Sequence, residues 1–195
     1  MSLYREQFKI ESARRVGWDY GSRGWYFITI CTKDKKCTLG TVSDHKIVLS
    51  KAGRIADDQM QQIANHSSNV TIDRFVIMPN HVHAIIVIEG ANVYSPRPGD
   101  GASPVSTTGS LRATIESRAN SLADIVGGYK AGVTRICHAG GIADFAWQAR
   151  FHDHILRSNA SVKATRDYID RNPEGWIEDP DGPAGMRPAE QRRHS

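Results

Sequence analysis

Two apolar runs separated by Met78-Pro79-Asn80 constrain this chain more than any other feature. The first ends Phe75-Val76-Ile77; the second is His81-Val82-His83-Ala84-Ile85-Ile86-Val87-Ile88. Proline donates no hydrogen bond to a β-ladder, so Pro79 splits the stretch into two strands that pair antiparallel across a tight turn. Residues 84–88 are apolar at every position, so both faces of the second strand need a cover. Residues two apart on a strand share a face, which sets His81 beside His83 with Val82 turned away. Two neutral imidazoles held this way form a ready bidentate metal site. The ordinary alternative is a pair of edge histidines, or one hydrogen-bonded core histidine and one exposed. The covered strand weighs towards the metal, because burying two imidazoles is costly unless something pairs them.

The rest of the chain supplies partners for these strands. Residues 1–23 are polar and basic and read as an extended arm, either a solvated tail or a nucleic-acid contact. Trp25 to Thr32 is aromatic and β-branched, the pattern of a central strand. Lys33-Asp34-Lys35-Lys36 is a charged turn, and residues 37–49 have room for a short hairpin. Ser50 can cap a helix to about residue 65, with Ala52, Ile55, Ala56, Met60 and Ile63 on one side. Residues 89–118, rich in Pro, Gly and Ser, read as a mobile loop.

Ser121 with Asp124 three residues on opens a second helix. Its stripe is Leu122, Ile125, Val126, Tyr129, Val133 and Ile136, which makes Tyr129 a core residue. Gly127, Gly128 and Gly132 lie off the stripe; either a DNA backbone approaches there or the helix packs tightly on the sheet. Trp147 to Arg157 reads as a turn into a strand carrying a second His-x-His, His152 and His154. Its middle residue is Asp153, so a supporting, DNA-facing or surface role is expected rather than a metal site. A last helix spans about Asn159 to Arg171, stopped by Pro173, whose ring disfavours helical dihedrals in the residue before it. Tyr168 and Asn172, four apart, share one of its faces. Taken singly, Tyr168 reads as a packing residue and Asn172 as a C-cap. Residues 177–195 read as a polar tail.

This order gives an α+β fold, a ferredoxin-like βαββαβ antiparallel sheet with an extra C-terminal helix. One domain, residues 24–176, accommodates it within the 195-residue chain. Helices cover one sheet face, and the extra helix is expected over the face bearing His81 and His83. The formal charge of +4 and a pI near 9.0 permit a polyanionic partner. No apolar run is long enough for a membrane span, and the start lacks a signal-peptide core. Three cysteines without metal spacing read as free thiols of a cytoplasmic protein.

Several segments together resemble one family. Met78-Pro79-Asn80-His81-Val82-His83 is similar to the His-hydrophobic-His (HUH) motif of single-tyrosine transposases, and most resembles the REP-associated tyrosine transposases. Tyr168-Ile169 with Asn172-Pro173 resembles their final-helix signature. Trp147-Gln148, Asp153-His154-Ile155 and the Tyr26–Thr32 strand also look like the family, so the likeness covers roughly residues 17 to 176. It implies Tyr168 as nucleophile, carried by the extra helix, and His81, His83 and Asn172 as metal ligands. It implies single-stranded, hairpin-bearing DNA as substrate, and it is compatible with a homodimer.

The chemistry suits these residue types. A tyrosine is a poor nucleophile near neutral pH. A divalent cation, Mg²⁺ or Mn²⁺, can hold a non-bridging phosphate oxygen and stabilise an in-line displacement. Lys130, Arg150, Arg157, Lys163 and Arg166 are candidate phosphate contacts. No separate protein base stands out; His152, His154 and Lys130 are candidate helpers. Two rivals differ in kind. An inactive hairpin-binding protein would bind without cleaving. A metal hydrolase for a small substrate would need an acidic base, and no Asp or Glu stands beside His81-Val82-His83.

Overall fold

A computed structural model of the chain describes residues 22–66, 69–89 and 121–177. The expected arm, the 89–118 loop and the C-terminal tail fall almost wholly outside these residues. The described elements, in order, are β1 (Gly24–Cys31), a 3-10 turn (Lys33–Lys35), β2 (Gly40–Ser43), β3 (Lys46–Leu49) and α1 (Lys51–His66). They continue with β4 (Val70–Ile77), β5 (His81–Ile88), α2 (Leu122–Ala139), β6 (His152–Leu156) and α3 (Asn159–Arg171).

Strands β4-β5-β1-β6 form one antiparallel sheet in that order. This is the expected βαββαβ arrangement, with β1 central. Among the described residues, strands β2 and β3 pair only with each other, as a separate hairpin. Alternation along each strand divides the side chains between two cores. Tyr26, Ile28 and Ile30 of β1 and Val82, Ala84, Ile86 and Ile88 of β5 pack beneath α1 and α2. Phe27 and Ile85 turn to the other face, where they meet Leu156 of β6 and Val162 and Ile169 of α3. The extra helix therefore covers the face bearing His81 and His83.

The helices begin as their sequences dictate. Ser50 Oγ accepts from Gly53 N at 3.1 Å, and Ser121 Oγ accepts from Asp124 N at 3.3 Å. Ser158 and Ser161 form a capping box that opens α3. Along α2 the buried stripe is Leu122, Val126, Tyr129, Val133 and Cys137. Ile125 and Ile136 are half-buried. Tyr129 is a core residue: it is 4% exposed and donates to the Ala56 carbonyl at 3.1 Å.

Two expectations need correction. The end of α3 at Arg171 matches, but the reason offered for it does not hold. Asn172 keeps helical dihedrals (φ −57°, ψ −39°) despite preceding Pro173, and turns continue to Ile177. The restriction before proline is a bias that a buried, packed residue can overcome. Tight helix–sheet packing does not account for the glycines of α2. Gly127 and Gly128 have nothing within 4 Å of where a Cβ would stand, whereas a Cβ on Gly132 would meet Gln59 Oε1 at 2.7 Å. Only Gly132 serves a close approach, and that approach is between α2 and α1.

Candidate active site

The site lies at the His81 end of the sheet, beneath α3. His81 and His83 are 0% and 2% exposed, with ring centroids 4.4 Å apart. Each imidazole is oriented through its Nδ1. His81 Nδ1 lies 2.8 Å from Asn80 Oδ1. A carbonyl oxygen only accepts, so Nδ1 carries the proton and Nε2 the lone pair. Asn80 is itself fixed: its Nδ2 donates to the Lys35 carbonyl at 3.2 Å, and its carbonyl accepts from Thr32 N and Thr32 Oγ1. His83 Nδ1 lies 2.9 Å from Thr29 Oγ1, its direct neighbour on β1.

Helix α3 delivers Tyr168 to the other side of His83. Tyr168 Oη is 3.2 Å from His83 Nε2, and its ring meets Phe27 edge-on at 6.0 Å. Asn172, one turn further on, is 3% exposed. One turn beyond that, the Trp176 ring lies 6.0 Å from the His81 ring. Asn172 is thus bracketed by residues that contact the two histidines.

The helix is fastened along one flank. Arg166 forks onto Asp73 of β4 (Nε–Oδ2 2.8 Å, Nη2–Oδ1 2.5 Å), and its guanidinium lies 5.5 Å from the Trp25 ring centroid. Arg74 approaches Asp170 at 3.5 Å. A β-bulge between Ile72 and Arg74 makes the first contact feasible: Asp73 is the extra residue, released from the ladder.

These residues fit a divalent cation, although among those described no three His, Cys, Asp or Glu side chains form a metal cluster. Two histidines therefore need a donor of another type, and buried Asn172, between Tyr168 and Trp176 on the same stretch, carries an amide oxygen of that type. An imidazole whose Nδ1–H is held by an oxygen is the usual arrangement of a metal-binding histidine.

Of the five candidate phosphate contacts, Arg150, Arg157 and Lys163 are exposed. Lys130 donates to the carbonyls of Gln148 (2.6 Å) and Ala149 (3.1 Å), and burial lowers its pKa. Lys163 pairs with Asp167 at 2.8 Å, and Arg166 with Asp73. Tyr129 stands apart from the site; burial, then Asp57 and Cys137, hold its phenol far above the usual range. Sequence reasoning missed Thr29, Phe27, Asp73 and Trp176. Strand register brings the first two in and a bulge the third, and neither leaves a mark in sequence. Asn80 was visible, directly before His81, but its carbonyl anchor is Lys35, 45 residues upstream.

Fold and site together define an α+β domain with two histidines and a tyrosine gathered under its C-terminal helix. No family model matches the chain. A Haemophilus influenzae protein, described as uncharacterised, is 34% identical over 172 residues, spanning 86% of this chain and 90% of its own length. The chain belongs to the family of that protein. Among solved structures, a REP-associated tyrosine transposase bound to a REP hairpin aligns with a TM-score of 0.48 and 19% identity, over 92% of this chain and 89% of its own. A Deinococcus radiodurans protein proposed to be a transposase aligns at 0.39 with 12% identity, over 83% and 96%. Likeness at these scores leaves the function to be read from the residues.

Proposed function

We propose that the protein is a metal-dependent transesterase of single-stranded, hairpin-bearing DNA, of the tyrosine transposase type. The observation that carries this reading is the 3.2 Å approach of Tyr168 Oη to His83 Nε2, with His81 beside it on the same strand face. A hydroxyl next to two imidazoles able to hold a cation suits metal-assisted phosphoryl transfer, a role beyond the packing that Tyr168 also performs. A bound Mg²⁺ or Mn²⁺, held by His81, His83 and Asn172, would supply charge stabilisation on a non-bridging phosphate oxygen. Tyr168 attacks phosphorus, the 3′-oxygen departs, and the DNA stays joined as a 5′-phosphotyrosine. The ester conserves the bond, so strand transfer or reversal needs no ATP. Arg150 and Arg157 hold backbone phosphates outside the site.

A denaturing gel of labelled hairpin DNA with Mn²⁺ tests this. Wild-type protein should leave a covalent adduct, and Tyr168→Phe should leave none while still binding the hairpin. An adduct in Tyr168→Phe would mean that another residue is the nucleophile. Binding with no adduct in the wild type would favour the inactive hairpin-binding protein.

A further inference from the structure

The second His-x-His lies on the same sheet face as the first. Thr29 of β1 stands opposite His83 on one side and His152 on the other; Phe27 stands opposite Ile85 and His154. Directly opposed residues of an antiparallel pair point to one face. His152 and His154 therefore share the face of His83 and Tyr168, with β1 between. Helix α3 is tied to β4 by Arg166–Asp73 and Arg74–Asp170. Tyr168 lies between His83 of β5 and Phe27 of β1, its ring centroid 5.2 and 6.0 Å from theirs. On β6, His152 is exposed and Asp153 and His154 are half-buried.

We propose that β6 is the leaving-group wall of the site, with His152 donating the proton that the departing 3′-oxygen needs. This rests on reading Tyr168 as the nucleophile. An in-line displacement puts nucleophile and proton donor on opposite sides of phosphorus. The nucleophile stands off by about 3–3.5 Å and the donor by a hydrogen bond of about 2.8 Å. Two strand spacings, about 9.6 Å from β5 to β6, give room for that span. The Tyr168 Oη–P bond forms and the P–O3′ bond breaks with its electron pair going to O3′. His152, as imidazolium, transfers its proton to O3′, and the phenolic proton goes to water. Burial and then Arg157 lower the His154 pKa, opposed by Asp153. That favours neutral His154 as a positioning residue beside the donor.

Hairpin substrates with oxygen or with sulfur at the bridging 3′-position test the assignment, because a thiolate leaves without a proton. On the oxygen substrate His152→Ala should slow adduct formation by about 10²–10⁴-fold. On the sulfur substrate it should match wild type. His152→Gln should show the same pattern, which separates lost proton donation from lost folding. Equal slowing on both substrates, or none on the oxygen substrate, would overturn the role of His152. No adduct from the wild type on either substrate would overturn the reading of Tyr168 itself, and this assignment with it.

Discussion

At the scale of single residues, two tyrosines occupy opposite environments. Tyr129 is sealed between α1 and α2, whereas Tyr168 reaches a buried imidazole from the rim. Tyr129→Phe should therefore leave adduct formation unchanged and lose about 1 kcal/mol of stability with the Ala56 hydrogen bond. The raised pKa adds a pH signature. Above the ordinary phenol pKa near 10, the unfolded chain releases this proton and the folded chain keeps it. The stability linked to this proton is thus full below about pH 10 and falls by about 1.4 kcal/mol per pH unit above it. Urea melts from pH 9 to 11 should show that slope in wild type and a shallower one in Tyr129→Phe. Equal slopes would mean that the phenol is not shielded.

At the scale of elements, the bulge in β4 and the fork between Asp73 and Arg166 hold α3 in its setting. Asp73→Asn weakens the charge pairing and should lower Tm by about 2–4 °C. It should also slow adduct formation by up to about 10²-fold, since a displacement near 1 Å at the nucleophile suffices for that loss. Lys163→Ala, which breaks only an exposed pair along the helix, should do little to either. If the two variants behave alike, the fork does not position Tyr168. The elements themselves were legible in sequence. Aromatic and β-branched runs marked β1, β4 and β5, Pro79 marked the hairpin, and Ser50 and Ser121 marked two helix starts. The gathering of His81, His83 and Tyr168 was legible through spacing and family resemblance together. Thr29 and Asp73 were not, because their roles follow from register and from one extra residue in a ladder, both settled only when strands pair.

At the scale of the whole molecule, the site is assembled where segments distant in sequence meet. Thr32 bridges to Trp147, Lys33 N donates to the Ala146 carbonyl, and Asn80 joins both Thr32 and Lys35. A cation bound only by the folded chain should stabilise it by about 2.7 kcal/mol at a hundredfold excess over its Kd. Calorimetry with and without Mn²⁺ should show that rise in wild type and lose it in His81→Ala; a rise that survives the substitution would remove His81 from the ligands. The turn that anchors Asn80 carries two consecutive non-glycine residues at positive φ, Asp34 (55°) and Lys35 (51°). A β-branched residue resists that conformation, so Asp34→Val would shift the Lys35 carbonyl, loosen Asn80 and cost His81 its fixed tautomer. If His81 and His83 hold a cation as proposed, their affinity for it would then be set partly from the Asp34-Lys35 turn, which lies outside the ligand set. Selection could dial that affinity up or down there while every donor atom stayed the same.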